Sequence, residues 1–246
     1  MTVLLLAGTG EAKRIAWGLA DTGVNVVASL AGATRSPDPL PVPTRIGGFG
    51  GEEGFRAYLS AHKISAVLDA THPFAEKITA RTARACRETG MPYSVVVRPE
   101  WVACEGDNWT VIGAPQEAAA HIPADGVVFL ATGRQTLAEY ANLEGRRVLA
   151  RMIDPPTAPF PFEGGEFVLG RPPFSVKREV SDFRALGVTH LVVKNAGGEG
   201  GRAKLDAARV LDLPVLMLSR PTVPEATVLS SVSEAISWVT SLGARV

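Results

Sequence analysis

Cysteine is almost missing from this chain of 246 residues. Cys86 and Cys104 stand alone, without a CxxC pair or a His set at zinc spacing, which argues against a disulfide scaffold and against any metal site. Net charge is missing too. The 25 basic and 25 acidic side chains cancel, so no global field draws nucleic acid or an anionic membrane, and any anion site has to be local. No apolar stretch approaches the roughly 18 residues of a membrane span, and no basic N-terminal region leads to a small-residue cleavage site. A cytoplasmic protein with neither nucleic-acid nor membrane partners is expected. Short-period repeats and low-complexity tails are absent. None of Tyr58, Tyr93 and Tyr140 has Lys four residues on, so the Tyr-x-x-x-Lys pair of short-chain carbonyl reductases is absent as well. What remains is ordinary for a globular protein: 46% hydrophobic and 20% charged residues, enough for one large or two medium domains.

The chain is organised around Val3-Leu4-Leu5-Leu6-Ala7-Gly8-Thr9-Gly10-Glu11. An apolar run stopped by glycine reads as a buried parallel strand, and the Ile15, Ala16, Leu19, Ala20 spacing that follows reads as an amphipathic helix. At such a strand-to-helix turn, unpaired N–H groups and the positive end of the helix dipole point outward together, a seat for phosphate. The G-x-G-x-x-G pattern is incomplete, since Lys13 stands at the third glycine. A second strand, Val24–Leu30, carries Ser29 and then Arg35 where an NAD-preferring fold places an acid, roughly 20 residues past the glycines. That favours NADP. The stretch from Ser36 to Gly54 is dense in Pro and Gly and suggests a tight loop approached closely by something. Further strands at Ile64–Ala70 and Tyr93–Val97 flank a helix over Glu76–Thr89.

A domain boundary is expected near residue 125, giving 1–125 as a Rossmann-like NADP-binding domain and 126–246 as a second α/β domain. Helices are expected around Pro115–His121 and from Gln135 to about Ala141. Strands at Val127–Ala131, Arg147–Arg151, Phe167–Gly170, Leu191–Val193 and Val215–Leu218, with helices between, repeat the alternation. The fold class is therefore α/β, two Rossmann/flavodoxin-like parallel-sheet domains with an interdomain cleft.

Polar and glycine-rich residues fall at the carboxyl ends of these strands, where open parallel sheets bind ligands. They are Gly8 to Glu11, Ser29, Asp69 to His72, Arg98, Thr132 to Gln135, Lys194 to Gly201, and Ser219-Arg220. Each also has a structural reading: Thr9 and Asp69 as helix caps, His72 before Pro73 as a turn residue, Arg98 and Arg220 as surface ion pairs, and the glycines of 197–201 as a linker.

Taken together these strings resemble the precorrin-6A reductase family of cobalamin biosynthesis. The resemblance rests on LAGTGE (6–11), SLAG (29–32), RIGGFGG (45–51), DATHPFA (69–75), Arg98-Pro99, Thr132-Gly133-Arg134, KNAGG (194–198) and Ser219-Arg220-Pro221, and it covers essentially the whole chain. It implies NADPH-dependent reduction of one double bond of a tetrapyrrole macrocycle, with hydride from the nicotinamide and a proton from a site acid or water. Arginines and lysines are then expected to meet the substrate's many carboxylates. Cofactor contacts are expected from Gly8, Thr9, Gly10, Glu11, Arg14, Ser29, Arg35, Asp69 and Thr71. Substrate contacts are expected from Arg98, Thr132, Gly133, Arg134, Lys194, Asn195, Gly197, Gly198 and Arg220, with His72 delivering a proton or orienting the substrate. Ala196 departs from the family's frequent Ser. Neighbouring enzymes of the pathway are the suggested protein partners. The alternatives are a non-catalytic sensor of a dinucleotide or tetrapyrrole, and a Rossmann-type reductase of another substrate.

Overall fold

The computed structural model describes residues 1–32 and 38–243. Along the chain the strands are β1 (Thr2–Leu6), β2 (Asn25–Leu30), β3 (Thr44–Ile46), β4 (Ala66–Asp69), β5 (Tyr93–Val96), β6 (Trp109–Ile112), β7 (Val127–Ala131), β8 (Arg147–Met152), β9 (Gly165–Leu169), β10 (His190–Lys194), β11 (Val215–Leu218) and β12 (Thr227–Leu229). The α-helices are α1 (Gly10–Leu19), α2 (Gly51–Ala61), α3 (Glu76–Thr89), α4 (Val176–Leu186), α5 (Ala203–Val210) and α6 (Val232–Gly243). The chain divides into two compact units, one of Met1–Pro99 with Pro221–Val246, the other of Glu100–Arg220.

In the first unit the sheet order is β12-β5-β4-β1-β2-β3, every pairing parallel. β1 is apolar on both faces because both are covered. Val3 and Leu5 pack with Ile15 and Leu19 of α1 and with Ala235 and Val239 of α6. Leu4 and Leu6 turn the other way, onto Phe55 and Leu59 of α2 and Ala85 of α3. In the second unit the order is β6-β11-β10-β7-β8-β9, again all parallel. There Phe129, Leu149, Leu191 and Val193 bury against Phe183 of α4 and Leu205 and Ala208 of α5.

Both sheets follow one plan. Counted from β1, the first reads 3-2-1-4-5-6 with β12 in sixth place, the order of doubly wound dinucleotide-binding sheets. Counted from β7, the second reads the same, with β6 in sixth place. The strand order reverses between β1 and β4 in one unit and between β7 and β10 in the other, and ligands of such sheets bind at that reversal.

The two-sheet α/β expectation holds, but the boundary near residue 125 does not. β6 lies before that point in sequence yet pairs with β11, and β12 and α6 lie after it yet complete the first unit. β3 and β12, three residues each, were not expected from the sequence. Pro115–His121 and Arg134–Leu143 wind as 3-10 rather than α-helix, the latter kinked at Tyr140. The expected helix at Glu76–Thr89 has those bounds and ends on left-handed Gly90. Among the described residues no helix is long and apolar enough to cross a membrane, and no cluster of three His, Cys, Asp or Glu side chains could hold a metal.

Candidate active site

At the first unit's reversal, β1 ends in Gly8, which takes φ +126° and so admits no side chain without strain. Thr9 caps α1: its hydroxyl accepts from Ala12 N at 3.1 Å and donates to the Ala70 carbonyl at 2.7 Å. This ties the β1 turn to the β4 turn and leaves the first-turn N–H groups of α1 facing outward. Gly10 has no positive φ, and a Cβ built on it would meet nothing within 4 Å. Neither backbone nor packing requires glycine there, at the place where an anion would come closest.

Asp69 closes β4 and is fully buried. Its Oδ1 accepts from Thr71 N (3.0 Å) and Thr71 Oγ1 (2.6 Å), and its Oδ2 from the Tyr93 hydroxyl (3.2 Å). The Tyr93 phenol is pushed up by burial, with the Asp69 charge adding to it. Glu11 pairs with Arg98 beyond β5 and, at 3.0 Å, with Arg14. The Arg98 pairing matters electrostatically, because a bare carboxylate in the first turn would repel an incoming phosphate. Thr9, Glu11, Thr71 and Arg98 line one pocket with Ala70, Pro73 and Val96. His72 sits exposed at the turn, its Nδ1 accepting from Phe74 N at 3.2 Å. At the end of β2, the buried Ser29 accepts from Arg45 Nη1 at 2.7 Å.

The second unit repeats the arrangement with different side chains. β7 ends in buried Thr132 and then Gly133 at φ +82°, with Arg134 exposed. β10 ends in Lys194, whose ammonium burial pushes down and Glu139 pulls back up. Asn195 is engaged on every side: its Oδ1 accepts from Trp101 N (2.9 Å), its Nδ2 donates to Trp101 O (3.1 Å) and Glu100 Oε2 (3.3 Å), and its carbonyl accepts from Arg220 Nε (2.6 Å). Two of the glycines beyond it, Gly198 and Gly201, are fitted rather than slack. Trp101 Nε1 donates to Gly198 O at 2.8 Å, and a Cβ on Gly201 would stand 2.8 Å from the Trp101 ring.

Comparison with known proteins identifies the lineage. The CbiJ/CobK family profile, described as precorrin-6x reductase, matches residues 2–240. The chain belongs to this family. It is 44% identical to the precorrin-6A reductase of Rhodococcus erythropolis, over 99% of each chain, and 42% identical to that of Rhodobacter capsulatus, over 98% of this chain and 97% of the other. A solved structure named CobK precorrin-6A reductase superposes with a TM-score of 0.93 at 41% identity, covering 99% of this chain and 97% of that one.

Membership of a reductase family implies a nicotinamide cofactor, and the first unit's rim has the chemistry for one: an outward helix N-terminus, an open glycine and a neutralised acid. Of the expected cofactor residues, Gly8, Thr9, Gly10, Glu11 and Thr71 gather at this rim, with Ser29 one strand away. Asp69 and the Thr9 hydroxyl serve the loops themselves. Arg14 lies on the exposed side of α1, bonded to Glu11. Arg35 falls outside the described residues. Arg98, expected at the substrate, joins the first unit's pocket instead. Thr132, Gly133, Arg134, Lys194, Gly197 and Gly198 do share the second unit's rim, while Asn195 and Arg220 hold the Glu100–Trp101 segment. Sequence reading passed over Arg45 and Trp101, although the glycine-rich string beginning at Arg45 marked the neighbourhood of the first.

Proposed function

We propose that the chain is a cytoplasmic enzyme that reduces a double bond of precorrin-6A to precorrin-6B with NADPH as the hydride source. Full-length membership of the family supports the reaction. The observation that carries the site is the β1–β4 reversal, where Gly10 is open and the Thr9 cap leaves the first turn of α1 to a pyrophosphate. NADPH is preferred over NADH in this reading because the end of β2 carries Ser29, one residue before its last, and no acid, which would repel a 2′-phosphate. On the second unit Arg134 and Lys194 bind macrocycle carboxylates, Lys194 from a half-buried position where its charge is less screened.

Hydride addition to a carbon–carbon double bond leaves the neighbouring carbon in need of a proton. His72 is the donor we assign. The hydrogen bond from Phe74 N occupies Nδ1, so the proton passes from Nε2 to the carbon and the exposed ring regains it from solvent water in the same step. His72→Ala should lower kcat about 10²- to 10⁴-fold, and a loss of only a few-fold would return His72 to a turn residue. The reading as a whole is tested by following NADPH oxidation with purified precorrin-6A, with NADH in parallel. Expected is turnover with NADPH and far less with NADH. No turnover with either rejects the activity, and equal turnover rejects the cofactor preference.

A further inference from the structure

Trp101 is fastened to the turn after β10 three times over. The Asn195 carboxamide pairs with both of its backbone groups, as a neighbouring strand would, accepting from the N–H at 2.9 Å and donating to the carbonyl at 3.1 Å. Arg220 Nε donates to Asn195 O at 2.6 Å, so the residue that holds Trp101 is itself held. The indole then lies along the turn. Its Nε1 donates to Gly198 O at 2.8 Å, and its six-membered ring stands 2.8 Å from where a Cβ on Gly201 would be. Lys204 Nζ pins the far end by donating to Gly201 O at 2.9 Å.

The orientation of one peptide follows from the indole bond. In a trans peptide the N–H points opposite to the C=O, so the unit that turns Gly198 O onto Trp101 turns Glu199 N–H away from it, toward the side on which Glu199 is exposed. Gly197 and Gly198 hold φ +65° and +73°, a backbone path that glycine takes without strain. The N–H groups of Gly198 and Glu199 meet no acceptor among the described residues. The turn therefore carries unspent donors close to Lys194, past the β7–β10 reversal where ligands of such a sheet bind. Four glycines in the five residues 197–201 would not hold those donors still by themselves.

We propose that Trp101 is a positioning residue for the macrocycle: without touching it, the indole fixes the 197–201 turn so that the Gly198 and Glu199 N–H groups face a substrate carboxylate beside Lys194. The inference rests on the reading of the second unit given above and adds the residue that keeps its backbone donors in place. What Trp101 supplies is preorganisation, because a turn already ordered in the free enzyme loses no further freedom on binding.

Steady-state kinetics of the full-length enzyme test this. Trp101→Phe keeps an aromatic ring and loses the Nε1 donor. It should raise the KM for precorrin-6A about 5- to 30-fold, the loss falling on KM rather than kcat, with NADP⁺ affinity by calorimetry unchanged. A merely structural role would move something else, since fewer folded molecules lower the apparent kcat and leave KM alone. Gly201→Ala, with Trp101 intact, pushes the indole off the turn and should raise KM comparably. Added to Trp101→Phe, whose ring lacks the outer carbons that the methyl would meet, it should change little, a coupling that two independent lesions would not show. If Trp101→Phe fails to fold, Gly201→Ala decides by the same KM. An unchanged KM in either folded variant, or fully additive losses, overturns the positioning role. A parent without turnover rejects the reading on which it rests, a different result.

Discussion

Burial pushes the Lys204 ammonium, on the first turn of α5, down to about 8, with Glu179 pulling it up and Arg151 pushing it down further. It donates to Gly201 O at 2.9 Å and faces the Arg151–Glu179 pair. Below pH 8 this lysine is charged in both folded and unfolded chains, and the fold bears the cost of burying it. Between about 8 and the unfolded value near 10.4 only the unfolded chain keeps the proton, so stability from this group rises with pH. Chemical denaturation of the parent and of Lys204→Met should therefore differ most in the alkaline range, the variant lacking that rise. Parallel curves would mean the amine is solvated. Lys204 also shows where residue-level reading runs out. The sequence located the strand-end positions correctly at Thr9, Asp69 and Asn195, and the cap role of Thr9, but not the distant groups their polar atoms touch. Their partners lie 61, 24 and 94 residues away at Ala70, Tyr93 and Trp101, beyond any local pattern. A hydroxyl or carboxamide at a strand end looks the same whether it meets ligand or loop.

At the scale of elements, glycines divide into those the fold needs and those it leaves open. A Cβ on Gly54 of α2 would stand 1.8 Å from the Phe49 carbonyl oxygen, a backbone atom that cannot swing aside. Alanine would favour the helix by about 1 kcal/mol, but the clash should outweigh it. Gly54→Ala is expected to cost about 2–3 kcal/mol, read as a lower denaturation midpoint. Gly18→Ala is the control, since its Cβ would meet only the tip of Ile236 at 2.3 Å, which can rotate. A Gly54 variant as stable as the control would mean that the start of α2 adjusts freely. α3 was legible because it runs 14 residues to a stop at Gly90, and β1 because an unbroken apolar run ends at glycine. β3 and β12 were not, because three residues at a sheet edge, in stretches rich in proline and glycine, carry no period to detect.

One of them, β12, decides with β6 the organisation of the whole molecule. Without β12 the alternation of strands and helices divides naturally at the Pro-Ala-Asp-Gly turn of 123–126, and with it the division falls at 99 and 220. A fragment of residues 1–125 would lack β12 and α6. Leu229, Ala235 and Val239, each buried against the first unit's core, would be gone, uncovering the α6-facing side of the cluster that holds Ile15 and Leu19. At about 1.5–3 kcal/mol for each large apolar side chain exposed, the loss approaches the 5–15 kcal/mol that holds a domain together. The same fragment would carry β6 with no β11 beside it. Excising Glu100–Arg220 and joining Pro99 to Pro221 through a short Gly-Ser linker instead restores 3-2-1-4-5-6 in a single piece. The ends to be joined are close, since Glu100 Oε1 lies 3.8 Å from Arg220 Nε and Asn195 bonds to Glu100, Trp101 and Arg220 alike. The excised protein should unfold cooperatively in urea, and residues 1–125 should show no cooperative transition. Because the joined first unit keeps Gly8, Thr9, Gly10 and the Glu11–Arg98 pair on a folded sheet, it should also bind NADP⁺ by calorimetry. A cooperative 1–125 fragment, or a joined first unit that fails to fold, would mean that the sixth strands are ornaments rather than parts of the two sheets.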